Sequence, residues 1–194
     1  MNQKPEHSGP VWVIGELKDG RPCAVSLQLT GKARSLADAL EVPAEVILLG
    51  NHLKEPAADF IAAGADRVFI GESPDLGLYQ SESYAEAIVQ MVQARQPQIL
   101  LIGSTFMGRE LAPTVAARLH TGLTAHCLDL VLTEDKILDQ QIPAYGGLMS
   151  IYCSERRPQM ATVAQGVFPT PTPDHSRTGA IESLFLPSLP DPRV

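Results

Sequence analysis

The sequence predicts an α/β fold in which a mostly parallel sheet carries helices on both faces. Short apolar runs, most of them closed by glycine, alternate with stretches of helical period from residue 11 to about 119. The connections between them are short, as in strand–helix–strand units. Past residue 125 the helical period stops and apolar runs follow one another directly. That change of texture predicts an antiparallel extension towards the C-terminal end.

Residues 11–14, Val-Trp-Val-Ile, form the first expected strand, and Lys18-Asp19-Gly20 an expected turn. A helix is expected over 26–40, with Leu29, Ala33, Leu36 and Leu40 on one face. A second strand follows at 45–49 and ends at Gly50-Asn51; a short helix over 55–63 stops at Gly64. The third strand covers 67–70, up to Gly71. Ser83-Tyr84-Ala85-Glu86 has the spacing of a capping box, and Tyr84, Ile88, Met91 and Val92 line one side of the helix behind it. Arg95-Gln96-Pro97 ends that helix before a strand at 99–102. Four further strands are expected without intervening helices, at 125–133, 136–142, 148–153 and 159–163. Gly146-Gly147 suits a tight turn or a bulge. From Pro169 the segment PTPTPDHSRTG reads as a polar, proline-rich linker, and 180–186 as a short extended piece. The expected division is a domain over 10–168 and a linker or tail over 169–194.

Sheets of this kind hold ligands outside the C-terminal strand ends, where the strand order reverses. The loops at Gly15, Gly50, Gly71 and Gly103 are therefore the candidate rim. The richest begins at Gly103, passes Ser104, Thr105, Gly108 and Arg109, and enters a helix marked by Leu111, Val115 and Leu119. Backbone N–H groups and the helix dipole make such a loop a candidate anion or nucleotide site. Its ligands would be Ser104, Thr105, Gly108 and Arg109. No Gly-Lys-Ser/Thr closes the loop and no G-x-G-x-x-G opens it. A structural turn also accounts for its glycines and hydroxyls, and it is the reading preferred from the loop alone. Arg109 suits a phosphate, a partner's carboxylate, or a surface pair with Glu110 or Glu72.

The 194 residues suit one domain with a tail, and the net charge of −7 argues against a general grip on nucleic acid or an anionic membrane. Cys23, Cys127 and Cys153 are far apart, which fits reduced thiols better than disulfides or a zinc site. His126 and Cys127, as strand neighbours, point to opposite faces and make a poor joint metal site. His126 is expected at or near the surface, Trp12 in the core, and Met149 and Met160 as ordinary apolar strand residues. No nucleophile–base–orienter set stands out, so the chain is not expected to be an enzyme. No apolar run is long enough to cross a bilayer and the polar start is no signal peptide, so a cytoplasmic protein is expected.

Two stretches resemble a family. GRELAPTVAARLHTGLTAHCLDL, residues 108–130, resembles the Gly-Arg-Asp-Leu-Ala-Pro…Gly-Leu-Thr-Ala-Asp-Cys segment of electron transfer flavoprotein alpha subunits. PAYGGLMSIYCSERRPQMATVAQGVF, residues 143–168, resembles their Pro-Ala-Phe/Tyr-Gly-Gly-Asn…Arg-Pro-Gln-Met-Ala-Thr-Val-Arg-Pro-Gly-Val-Phe segment. The Gly-Glu after the first strand fits too, and the likeness runs from about 11 to 168. It implies the family's N-terminal domain, a three-layer αβα sandwich similar to adenine nucleotide alpha hydrolases. It also implies a beta-type subunit as partner, dehydrogenases as indirect partners, and FAD in the full complex, held mainly by a separate C-terminal domain and not by this chain alone. A stand-alone adenine-nucleotide-binding protein of the same fold is the alternative, and a homodimer through the face that meets the beta subunit is a further possibility. His126 stands where the family has Asp, Ile142 where it has Arg, Leu148 where it has Asn, and Ala164-Gln165 where it has Arg-Pro.

Overall fold

The computed structural model describes residues 9–184. Strand β1 (Val11–Gly15) runs into a small hairpin of β2 (Leu17–Lys18) and β3 (Arg21–Pro22), then α1 (Ala24–Leu40). The order continues β4 (Ala44–Gly50), α2 (Lys54–Ala62), β5 (Arg67–Glu72), a 3-10 turn Pro74–Leu76, α3 (Ser81–Arg95), β6 (Ile99–Gly103) and α4 (Phe106–Leu119). Then come β7 (Leu123–Cys127), β8 (Asp129–Leu132), β9 (Leu138–Ala144), β10 (Gly147–Tyr152), β11 (Gln159–Val163) and β12 (Ala180–Ser183).

Seven strands form one sheet in the order β12-β5-β4-β1-β6-β11-β7, and every neighbouring pair in it is parallel. Alternate strand residues supply the two faces. Val11, Val13, Val46 and Leu48 pack with Leu29 and Leu36 of α1 and Phe60 of α2. Trp12, Ile14, Ile47 and Phe69 pack with Ile88 of α3 and Leu111 and Val115 of α4. The result is the expected three-layer sandwich. Each large apolar side chain so buried stabilises the fold by about 1.5–3 kcal/mol before entropy is counted. Trp12, fully buried, donates its indole N–H to Glu45 Oε2 at 2.7 Å.

The structure corrects the chain after residue 120. Residues 159–163, expected in the antiparallel extension, form a parallel strand wedged between β6 and β7. All five are buried, with Met160 facing one layer and Ala161 and Val163 the other. A strand covered on both faces reads as a plain apolar run, and its pairing partners are set from afar. The strand expected over 125–133 is broken: His126 takes φ 57°, and β7 joins the main sheet while β8 leaves it. The antiparallel extension is β8-β9-β10 alone. Tyr145 (φ 45°) and Gly146 (φ 83°) make the two-residue turn of its β9–β10 hairpin. Met149, expected as an ordinary apolar strand residue, is 43% exposed there.

The capping box is also corrected. α3 starts three residues earlier, at Ser81 behind the N-cap Gln80, and Ser83 is a buried residue of its first turn. The proline-rich stretch lies on the body. Pro171 rests on Gly31 of α1, the Asp174 N–H donates to the Ala62 carbonyl, and Arg177 pairs with Asp66 at 2.6 Å. The extended piece behind it is β12, added to the β5 edge, with Glu182 pairing with Arg67 at 2.8 Å. Phe185 and Leu186 lie outside the described residues.

Candidate functional site: the strand-end rim between β1 and β6

β1 and β6 are neighbours in the sheet, but β1 leads to α1 on one face and β6 leads to α4 on the other. Their C-terminal ends therefore flank the point where the strand order reverses, the crevice in which such sheets hold ligands. Four groups meet there: Glu16 after β1, Ser104 and Thr105 after β6, and the first turn of α4.

Two glycines let these parts approach. A Cβ on Gly108 would stand 1.8 Å from the Gly103 carbonyl oxygen, so only glycine lets α4 start this close to β6. A Cβ on Gly103 would come within 2.9 Å of Val25 and 3.2 Å of Glu16 Oε1. Thr105 is the N-cap of α4, and its hydroxyl accepts the Gly108 N–H at 2.9 Å. The same hydroxyl donates to Glu16 Oε1 at 2.9 Å.

Glu16 is the residue that reading the sequence did not single out for the site. It is only 6% exposed; its N–H donates to Ser26 Oγ at 2.9 Å and its carbonyl accepts the Cys23 N–H at 2.8 Å. Burial pushes its carboxyl above the ordinary range, and the Thr105 hydrogen bond pulls it partly back. The one signal in the sequence was an acid directly behind a wholly apolar strand, where a surface residue is the usual expectation. Here that acid turns inward and sets a carboxylate beside the capped end of α4. The crevice thus holds a carboxyl group belonging to the chain itself.

The other candidates separate. Ser104 is buried, its N–H donates to the Val163 carbonyl at 2.7 Å, and its hydroxyl lies 3.0 Å from His126 Nδ1. His126, exposed, is turned toward Ser104 by its left-handed backbone, and its N–H is bonded to Thr162 Oγ1 at 3.1 Å. Arg109, in the first turn of α4, is exposed, and among the described residues no ion pair joins it to Glu110 or Glu72. Phe106, the first residue of α4, is 93% exposed. The Ser104–His126 pair has no acid orienting the imidazole among the described residues, as a nucleophile–base set requires. No group of three or more metal-ligating side chains occurs among the described residues. Burial pushes the Cys127 thiol up to about 12, which keeps it protonated.

A family model described as electron transfer flavoprotein domain matches residues 11–189. The chain belongs to the electron transfer flavoprotein family. It is 43% identical over 168 residues to the electron transfer flavoprotein subunit alpha of Clostridium acetobutylicum, covering 85% of this chain and 50% of that one. The alpha subunit of Thermoanaerobacterium thermosaccharolyticum is 39% identical over 173 residues, with 88% and 52% covered. Protein FixB of Rhizobium meliloti is 41% identical over 177 residues, with 88% and 50% covered. The chain spans about half the length of these curated relatives and corresponds to the alpha subunit's N-terminal domain. A universal stress protein solved in complex with cAMP superposes with a TM-score of 0.35 at 22% identity over 57% of this chain and 91% of that one, too little to carry a shared ligand across.

Flavin is the cofactor the family name implies, and at the rim its phosphates would share space with Glu16 and the Thr105 cap. A dinucleotide needs free N–H donors and positive charge at a helix N-terminus. Here Thr105 takes up the Gly108 N–H and donates to Glu16 Oε1, so this part of the helix N-terminus is already engaged within the chain. No helix among the described residues is long and apolar enough to cross a membrane.

Proposed function

We propose that this chain is a scaffold module of an electron transfer flavoprotein, not an enzyme, and that it works in the cytoplasm. It pairs with a beta-type subunit and supports an FAD-carrying domain, so that electrons from dehydrogenases pass through a flavin this chain does not itself hold. The redox chemistry then belongs to the cofactor, and the protein's part is position. The module is residues 10–168, with residues 169–194 as a linker or tail whose described part, 169–184, lies along the module's surface. Glu16 is the observation that carries this reading over a nucleotide-binding one. Its carboxyl lies in the strand-end crevice, so Thr105 and Gly108 serve the α4 cap, Ser104 serves the contacts to Val163 and His126, and Arg109 serves a partner's surface.

The test is purification of the chain alone. The expected product is colourless, with no flavin absorbance and no rise in melting temperature on titration with AMP, ATP or FAD. A stoichiometric flavin spectrum, or a melting temperature rising with adenine nucleotide concentration, overturns the reading, because a true ligand stabilises the state it binds.

A further inference from the structure

The three-stranded sheet ends on β10, whose outer edge faces no other strand among the described residues. Five of its six residues are exposed, and Ile151 is half-buried. Leu148 and Tyr152 lie on one face at 60% and 54% exposure, and Met149 lies on the other at 43%. Edge strands of monomers carry lysines, prolines or bulges that block an added strand. β10 carries none of these. Its register with β9 runs unbroken from Gly147 opposite Ala144 to Tyr152 opposite Asp139. Residues 140–153 contain no Asp, Glu, Lys or Arg, although 19% of the chain is charged.

The lack of charge decides the class of occupant. A partner recognised by opposite charge needs charge on this edge, and there is none. A partner matched by apolarity needs a neutral strand with the same alternation, which β10 itself supplies. About Ser150 the strand is self-complementary: in an antiparallel pairing Leu148 meets Tyr152, Met149 meets Ile151, and Ser150 meets Ser150. Each of these is an apolar or hydroxyl cross-strand pair of the stabilising kind. The net charge of −7 makes two bodies repel each other, but contact through the uncharged edge strand keeps most of that charge apart, where salt screens it. The nearest carboxylate, Asp139 on β9, accepts from the Ser150 hydroxyl at 3.0 Å and is 8% exposed.

We propose that a second copy of this chain adds its β10 antiparallel to this one. The two three-stranded sheets then become one continuous sheet across a two-fold axis at Ser150. This is strand addition with an isologous interface. The self-pairing does not depend on the electron-transfer reading, and flavin content tests that reading separately.

The test uses the full chain without added partner, its mass followed by sedimentation from low to high micromolar concentration. Wild type is expected to pass from 20.9 kDa to twice that mass. Met149→Lys places a charge on each side of the axis and is expected to weaken the dimer at least about tenfold. Should that variant fail to keep the wild-type melting temperature, Tyr152→Glu serves in its place. Ser150→Cys is expected to give a covalent dimer under mild oxidation faster than wild type, whose Cys153 lies off the axis. A chain that stays monomeric throughout, a dimer unchanged in the charged variant, or a dimer that Ser150→Cys does not trap overturns the proposal.

Discussion

Glu16 shows how one side chain can decide what a rim of familiar shape does. Because burial raises its carboxyl above 4.5, the folded state holds that proton to higher pH than the unfolded chain. Stability therefore falls as pH rises from the unfolded value through the folded one, and above it the cost stays constant. Glu16→Gln removes this cost while keeping an acceptor for Thr105. The variant is expected to melt higher than wild type at pH 7, with the gap closing below about pH 4. A gap independent of pH would show that the carboxylate carries no buried charge. Thr105→Val deletes the α4 cap and the Glu16 bond together, and an expected loss of about 1–2 kcal/mol is read from urea unfolding. Gly108→Ala forces a methyl onto the Gly103 carbonyl and is expected to cost about 1–3 kcal/mol, or more if α4 cannot shift. Gly108 and Thr105 were legible as members of a loop motif. Glu16 was not, because nothing local marks an acid that turns inward. Only the side-by-side ends of β1 and β6, far apart in the chain, enclose it. The reverse error occurred at Ser83, where a capping box was spelled correctly yet the helix had already begun at Ser81.

At the level of elements, the segments from β1 to α4 were readable because each strand is a short apolar run and each helix carries its own stripe. Past α4 the signal is still periodic but pairing is no longer local. β11 looks like one more strand of an extension, and only its complete burial on both faces puts it inside the main sheet. The strap over 169–184 looked polar and unattached, since its anchors are charges on distant elements. Asp66 is the chief anchor, accepting from the Ala44 N–H and from the guanidinium groups of Arg34 and Arg177. Burial acts to raise its carboxyl, but these donors overcome that and hold it below 3.8. A depressed carboxyl contributes stability above its unfolded value and loses it as pH falls through the folded one. The protection of β12 amides, taken relative to their intrinsic exchange rates, is therefore expected to fall in acid, below about pH 4, before the central strands open. Asp66→Asn is expected to lower it at neutral pH as well. β12 amides that stay as slow in the variant as in wild type would mean that the strap is held by its strand pairing alone.

At the scale of the whole molecule, the seven parallel strands give a rigid platform whose two ends are unlike. One end carries the crevice where Glu16 meets the α4 cap; the three-stranded extension ends in an uncharged edge strand with exposed apolar residues. A platform of this kind suits assembly better than turnover, and a chain that purifies colourless and indifferent to adenine nucleotides is the result expected of it. Chain order within the sheet has a further consequence, for synthesis. β6 emerges from a ribosome some 60 residues before β11, the strand that covers its free side, and about 10–20 residues are added per second at the faster end. For several seconds the nascent protein therefore presents Ile99–Gly103, its most apolar edge, as an open template. The early half of this chain is in consequence the stretch that a chaperone, or a misplaced neighbouring strand, meets first.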